Sequence, residues 1–537
     1  MRVALAWRHT PIRWPQGRQR ARTVKPIIAV YQALPWRQAQ PDCKPNAHPA
    51  MSPTPQATDA HTHTVIVVGA GFAGVGAAIA LRKTGIDFLM LEKASEPGGV
   101  WRENTYPDCA CDIPSSFYSY SFAPNPRWSR MFARQEEIKS YCGSTVATFG
   151  LLPHLRLNCE MHKARWNDAE KLWHLDTSLG LLRARFVVMA CGPMHVPVTP
   201  DIAGLDSFAG THFHSSRWQH DVDLTGKRVA VVGSGASAIQ FLPAIAPKVA
   251  QLTLFQRTAP WVLAKMDLHI SEKWQARFAR FPWLQSLLRR ALYLQFELLN
   301  FSLKFPRAIA RLQAAGLKNI ARGIKDPALR HKVTPNFSLG CKRILQSNTW
   351  YKTLAQPQVQ VFSGIARIEG NSLVSTSGER CEADIIIWGT GFEVAEPPVA
   401  QAIFGQSGQA LSTHWKGSAS AYLGTMLEDC PNLFMMCGPN LYAFSSAFVM
   451  IEAQVKFILA AIRSTGTKDH ASIAVAPSAH QRYNQAVQIA LKKTVWNSGC
   501  SSYFIDRNGN NSTNWPWTTW YMRWRLARLR PSDFTTG

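Results

Sequence analysis

Two glycine-rich stretches carry residue types that can hold a dinucleotide: VVGAGFAG at residues 67–74 and VVGSGASA at residues 231–238. In the first, Gly69 permits a tight turn, Gly71 lets the backbone approach a pyrophosphate at a helix N-terminus, and Gly74 lets helix and strand pack closely. Glu92 follows Gly69 by 23 residues, at the end of the next apolar run, where a carboxylate accepts hydrogen bonds from a ribose diol. The second stretch repeats the pattern with Gly233, Gly235 and Ser237, but its following run, QLTLF, ends in Gln256 and Arg257. A cation at that strand end suits a 2′-phosphate. The pair therefore predicts FAD in the first site and NADPH in the second, with hydride passing from nicotinamide to flavin.

What a reduced flavin does next is open at this level. One class passes electrons to a redox disulfide, and the other uses dioxygen. Cys109 and Cys111 have a single residue between them, a poor spacing for a bridge, so oxygen chemistry leads. Gly98 and Gly99 can pass close to a flavin or its diphosphate, and Asp112 is a carboxylate in a mostly uncharged stretch that could orient a cation. Lys342 and Arg343 follow a Gly-Cys turn. Between the two glycine signatures lies FAGTHFHSSRW, residues 208–218, which reads as a linker joining two nucleotide-binding halves.

The elements that must position these groups alternate strand and helix. TVIVV, the first glycine turn, AGVGAAIALRKTG and DFLML form a βαβ unit; KRVAVVG, the second turn and QLTLF form another. RFVVMACG closes the first nucleotide-binding part, and ADIIIWGTGF, residues 383–392, is expected to return the chain to it. The expected fold is α/β, with two Rossmann-like dinucleotide-binding domains, the FAD domain discontinuous and a helical elaboration in the NADPH domain. Boundaries are set at 1–58 for a basic N-terminal extension, 60–200 for the first FAD part, 201–379 for the NADPH domain and 380–537 for the second FAD part.

Composition narrows the partners. At 537 residues, with 46% hydrophobic and 17% charged content, the chain is long enough for several cores. The net charge of +25 is not organised into a nucleic-acid motif, so no nucleic-acid partner is expected. Eleven scattered cysteines without a CxxC pair suggest neither a metal site nor a disulfide framework, and point to a reducing, cytoplasmic compartment. There is no uncharged apolar run of about 18 residues, so no transmembrane span is expected. The apolar region 281–305 is interrupted by Arg289, Arg290 and Glu297 and reads as an amphipathic helix packed on its own domain, with peripheral membrane contact and oligomeric state left open. Residues 1–50 hold nine Lys or Arg against the single acid Asp42, and read as a poorly ordered upstream extension with Met51 as the working start.

From about Thr64 to about Pro531 the chain resembles the flavin-containing monooxygenase superfamily and, within it, the type I Baeyer–Villiger monooxygenases. The fingerprint FxGxxxHxxxW is met by Phe208, Gly210, His214 and Trp218, followed by Gln219 where Pro or Asp is usual. A second pattern, GGxWxxxx(F/Y)P(G/M)xxxD, is met by Gly98, Gly99, Trp101, Tyr106, Pro107 and Asp112, with Asp108 at the Gly/Met place. DxxxxATG appears as residues 384–391 with Gly389 for Ala, and 494–520 is similar to the family's C-terminal segment near the active site. Heteroatom-oxidising relatives generally carry Tyr where Trp218 stands and lack an active-site Arg, which CKR at 341–343 supplies here.

The resemblance implies insertion of one atom of O2 beside a ketone or aldehyde carbonyl, giving an ester or lactone through a flavin C4a-peroxide. It assigns FAD to Gly69, Gly71, Gly74, Glu92, Gly98, Gly99, Trp101 and Asp112, and NADPH to Gly233, Gly235, Ser237, Arg257 and Lys342. Arg343 would stabilise developing negative charge and Asp112 would hold that Arg, while Phe208, Gly210, His214 and Trp218 would act in the joint between domains. S- or N-oxygenation is the nearest alternative reading. A non-oxygenating NADPH-dependent flavin reductase is the next.

Overall fold

The structure is a computed structural model and describes residues 61–466 and 471–537. The expected N-terminal extension, 1–58, lies outside the described residues.

The first sheet grows from the β-branched run of β1 (Thr62–Val68), which enters the core at once: its last four residues are buried. Helix α1 (Phe72–Lys83) follows, rich in small residues because it is squeezed from outside. A Cβ on Gly76 would stand 2.9 Å from Ile451 and 3.1 Å from the Tyr120 ring. The fully buried β2 (Phe88–Leu91) then lies parallel to β1, with Val65 opposite Phe88. The short helices α2 (Val100–Glu103) and α3 (Gln135–Thr148) precede β3 (Leu155–Arg156), which extends the sheet beside β2. An antiparallel run, β4 (Met161–Asn167), β5 (Leu172–Thr177) and β6 (Gly180–Met189), brings the chain back so that β6 pairs parallel with β1. Two strands from the far end complete the sheet: Ile403–Phe404 beside β4 and Leu433–Met435 beside β6. The first sheet is thus built from both ends of the described chain.

The second sheet has five parallel strands. In spatial order they are Val359–Phe362, β9 (Gln251–Phe255), β8 (Arg228–Val232), Ile385–Trp388 and β7 (Thr211–His214). Helix α4 (Ala238–Ile245) follows β8 across the second glycine turn. Two expectations shift here. The strand Ile385–Trp388, expected to return the chain to the first domain, lies inside the second sheet between β8 and β7, so this sheet closes beyond residue 379. An apolar run of this kind looks the same whichever sheet buries it. The stretch 208–218 contains an edge strand: β7 pairs along Ile385–Trp388, and Gly210 is required because a Cβ there would collide with the Asp384 carbonyl and the Phe208 ring.

The helical elaboration comprises α5 (Glu272–Arg280), α6 (Pro282–Ser302), α7 (Pro306–Gly323) and α8 (Pro327–Val333). It does not belong to the second domain alone. Arg289 of α6 donates to the carbonyls of Ser116, Phe117 and Ser119 at 3.2, 3.2 and 2.7 Å, and the Phe296 and Phe117 rings lie 5.5 Å apart. Helix α6 therefore rests on the loop that follows α2. Its amphipathic character was legible, but which surface it covers depends on contacts 170 or so positions away.

Candidate active site

The two glycine turns solve the same steric problem in the same way. Gly69 and Gly233 both have φ of +108°, a conformation closed to most side chains. A Cβ on Gly69 would stand 2.6 Å from the Ala190 carbonyl oxygen, and one on Gly74 would collide with the Gly69 carbonyl. Gly71 and Gly99 lie back to back: a Cβ on Gly99 would stand 3.0 Å from Gly71 Cα, while Gly98 and Gly99 themselves have positive φ. At the second turn a Cβ on Gly233 would collide with the Gly389 carbonyl, whereas Gly235 has room, and Ser237 precedes α4 without making a side-chain cap hydrogen bond.

The residues expected to read the two riboses differ in setting. Glu92 is buried and already accepts from the backbone N–H of Ala70 at 2.9 Å and of Ala94 at 3.1 Å, and from Arg102 Nη1 at 3.0 Å. Those three bonds leave one of its roughly four acceptor positions for a ligand hydroxyl. Arg102 also pairs with Glu103, which in turn pairs with Arg217, so the first site is wired to the 208–218 stretch. Arg257 is exposed just beyond β9. Lys342 is its electrostatic neighbour: burial, reinforced by the Arg257 charge, lowers the Lys342 pKa from its ordinary value. Two adjacent cations fit a phosphate dianion.

Asp112 and Arg343, 231 positions apart, meet as an ion pair. Arg343 Nε and Nη2 both donate to one Asp112 carboxylate oxygen, at 3.1 and 2.5 Å. The carboxylate beside it holds the Arg343 pKa well above its ordinary value, against the opposing effect of burial. Burial pushes Asp112 up, but Arg343, with Lys265 behind it, overrides this and holds the carboxyl below its usual range. Asp112 is positioned from the second sheet, since Gln240 of α4 forms a two-way bridge with the backbone of Ala110, both bonds 3.0 Å. The Arg343 turn is positioned from the C-terminal segment. Gly340 packs where a Cβ would stand 2.9 Å from Val495, and a Cys341–Cys500 disulfide joins the turn to that segment.

That disulfide corrects the reading of the cysteines as unpaired. Its partners are separated by 159 positions, and spacing rules register only near neighbours. Cys109 and Cys111 are free and buried, and burial pushes the Cys109 thiol up to about 12, so neither is poised as a thiolate.

Asp112 and Arg343 line a cavity of about 270 Å³ together with Trp101, Ser237 and Lys342. Residues expected at the first nucleotide site, at the second site and at the charge-stabilising position therefore face one space. Tyr442 and Tyr503 also line it and were missed by sequence reasoning. Burial pushes Tyr442 up to about 12 and raises Tyr503, with the Arg343 charge opposing in both. Trp496, Phe504 and Phe296 of α6 add apolar wall. Trp496, Tyr503 and Phe504 fall in the 494–520 segment that resembles the family's active-site segment, whereas for Tyr442 the only signal was the aromatic density around it.

The fingerprint residues form a packed joint. Trp218 lies 5.3 Å from both Phe213 and Phe241, and Phe208 is buried in the core of the second sheet. His214 is buried; its Nδ1 accepts from the Ser216 backbone N–H at 3.1 Å. Burial pushes its pKa down to about 4, only partly offset by the Gly391 backbone, so the ring is neutral near pH 7. Among the described residues, one group brings three metal-ligand atoms within 4.8 Å of one another: His61, His63 and Asp87 at the start of the first sheet.

A family profile described as pyridine nucleotide-disulphide oxidoreductase matches residues 66–282. A Baeyer–Villiger monooxygenase of Streptomyces coelicolor is 43% identical over 481 residues, covering 88% of this chain and 93% of the relative. The chain belongs to the Baeyer–Villiger monooxygenases. A second Baeyer–Villiger monooxygenase, from Pseudomonas aeruginosa, is 42% identical, with 88% and 91% of the two chains covered. Among solved structures, an oxidised steroid monooxygenase bound to NADP superposes with a TM-score of 0.78 at 28% identity, over 89% of this chain and 99% of that one. As a Baeyer–Villiger monooxygenase this chain is an oxidoreductase with two dinucleotide-binding domains. The profile covers the two glycine turns but ends before Arg343.

Proposed function

We propose that this enzyme uses FAD, NADPH and O2 to insert one oxygen atom beside the carbonyl of a ketone or aldehyde, giving an ester or lactone. The observation that carries the reading is the Asp112–Arg343 ion pair facing a cavity shared by both nucleotide sites.

The residues present fit both cofactors. FAD would be held by Gly69, Gly71 and Gly74 at the start of α1, by Glu92 at the ribose, and by Gly98, Gly99 and Trp101. NADPH would be held by Gly233, Gly235 and Ser237 at the start of α4, with Arg257 and Lys342 at the 2′-phosphate. The bound cofactors supply hydride and the activation of dioxygen. The protein supplies a fixed guanidinium at the place where negative charge develops on the carbonyl oxygen. Asp112 prevents Arg343 from reorienting, so the charge is aimed before the reaction begins. The aromatic wall keeps water from screening that charge. His214, neutral and hydrogen-bonded within the joint, positions the two domains and takes no proton from substrate. The domain division follows the sheets: 60–200 and 389–537 for FAD, 201–388 for NADPH. A cytoplasmic setting goes with the eight free cysteines among the described residues, and reductants there open disulfides such as Cys341–Cys500.

The test is Arg343→Ala. The variant is expected to stay yellow and to oxidise NADPH, while ester formation from a ketone panel falls by about 100- to 1000-fold. Ester produced at near wild-type rate would remove Arg343 from the role, and sulfoxide without ester from a mixed ketone and thioether panel would favour heteroatom oxygenation by the wild type.

A further inference from the structure

Helix α6 has two unlike faces. Inward, Leu292 and Phe296 pack against Phe117 and Val449. Outward stand Trp283, Leu287, Leu294, Leu298 and Phe301, with Phe305 just past the helix end, each between 48% and 62% exposed. At 100° per residue the five on the helix fall within an arc of about 60°. Scattered exposed apolar residues are ordinary, but a straight stripe of large ones along 21 residues is not.

The surroundings of the stripe are basic. Residues 271–325 hold eleven Lys or Arg and two acids, Glu272 and Glu297. Glu297 is buried and occupied in accepting from the backbone N–H of Thr519 at 3.0 Å, so it contributes no negative rim. Arg290 lies on the stripe itself, and Arg277 and Arg280 stand over the rings of Trp274 and Phe281 at 4.8 and 5.3 Å. Helix Thr519–Leu526, tied to α6 through Glu297, adds Trp520 at 59% exposure, and Arg523 stands 5.7 Å over Tyr293 of α6.

We infer that the outer face of α6 is a docking surface for an anionic lipid bilayer. Apolar and Trp side chains enter the interface while flanking Arg and Lys meet lipid phosphates, the arrangement of an interfacial amphipathic helix. Charge argues against a second copy of the chain as occupant: a twofold contact would set this basic face against itself. No helix among the described residues is long and apolar enough to cross a membrane, so the contact is peripheral. The inner face of the same helix contributes Phe296 to the catalytic cavity, which sets the cavity wall directly behind the lipid contact.

The experiment is sedimentation of the full-length flavoprotein with phosphatidylcholine vesicles, with and without phosphatidylglycerol. Wild type is expected to pellet with the anionic vesicles and to be released by salt. Leu294→Glu/Leu298→Glu is expected to keep its flavin and bind about tenfold less or weaker. If that pair fails to fold, Trp283→Ser/Leu287→Ser, at the N-terminal end of the same outer face, serves in its place. Three results would overturn the inference: no pelleting of wild type with anionic vesicles, equal pelleting of the folded variant, or a wild-type dimer that the substitutions convert to monomer.

Discussion

The two glycine turns have the same backbone and opposite surroundings. Gly69 and Gly233 share φ of +108° and each backs onto a carbonyl, of Ala190 and Gly389 respectively. At the ends of the following strands the likeness stops. Glu92 is buried in two backbone hydrogen bonds and an ion pair with Arg102, whereas Arg257 is exposed, with Lys342 beside it. A ligand at the first site adds to a network already formed within the core; a ligand at the second meets a cationic edge open to solvent.

The largest expected effect breaks the first turn. Gly74→Ala drives a methyl group into the Gly69 carbonyl, so strand and helix must separate. Overpacking of this kind costs about 1–3 kcal/mol and here also displaces the backbone around the pyrophosphate. The variant should purify colourless and melt at lower temperature. Gly235→Ala, whose Cβ has no neighbour nearer than 3.9 Å, should remain folded and yellow. A Gly74→Ala protein with full flavin absorbance would show that the tight packing is not needed for the cofactor.

Next in size is the cationic edge. Arg257→Ala should raise KM for NADPH by about 10- to 100-fold, the loss of one charge-assisted contact, and leave KM for NADH nearly unchanged. Lys342→Ala should act in the same direction. If the preference between the two nucleotides stays as in wild type, the 2′-phosphate lies elsewhere.

Both turns were legible because their information is local: glycines at fixed offsets, a β-branched run before and small residues after. Arg257 was legible for the same reason. The Asp112–Arg343 pair spans 231 positions, and from the residues alone each was only a charge in a turn; the resemblance joined them. Tyr442 and the Cys341–Cys500 bridge were not read at all, and Tyr503 only as part of the 494–520 segment, since each depends on the C-terminal segment folding back over the Arg343 turn. The boundary near 379 failed for a different reason. Strand Ile385–Trp388 is apolar on both faces, and nothing in such a run states which of the two sheets it joins.

The smallest expected effect concerns the joint between the two turns. His214 has a folded-state pKa near 4 against an unfolded value of 6.5. Below about pH 6.5 the unfolded chain therefore binds a proton that the folded chain refuses, and stability falls until the folded ring also titrates near pH 4. At about pH 5 the loss from this residue is about 2 kcal/mol, and above pH 7 it vanishes. Urea unfolding of wild type and His214→Gln across this range isolates it: the variant should lack that part of the acid loss. Because Nδ1 accepts from Ser216 and burial is set by Phe392 and the 385–388 strand, the same titration should loosen the two domains before either unfolds. NADPH oxidation uncoupled from ester formation should then rise in wild type as the pH falls towards about 4, where the folded ring itself takes up the proton. Parallel acid profiles for wild type and variant would place the protonation elsewhere.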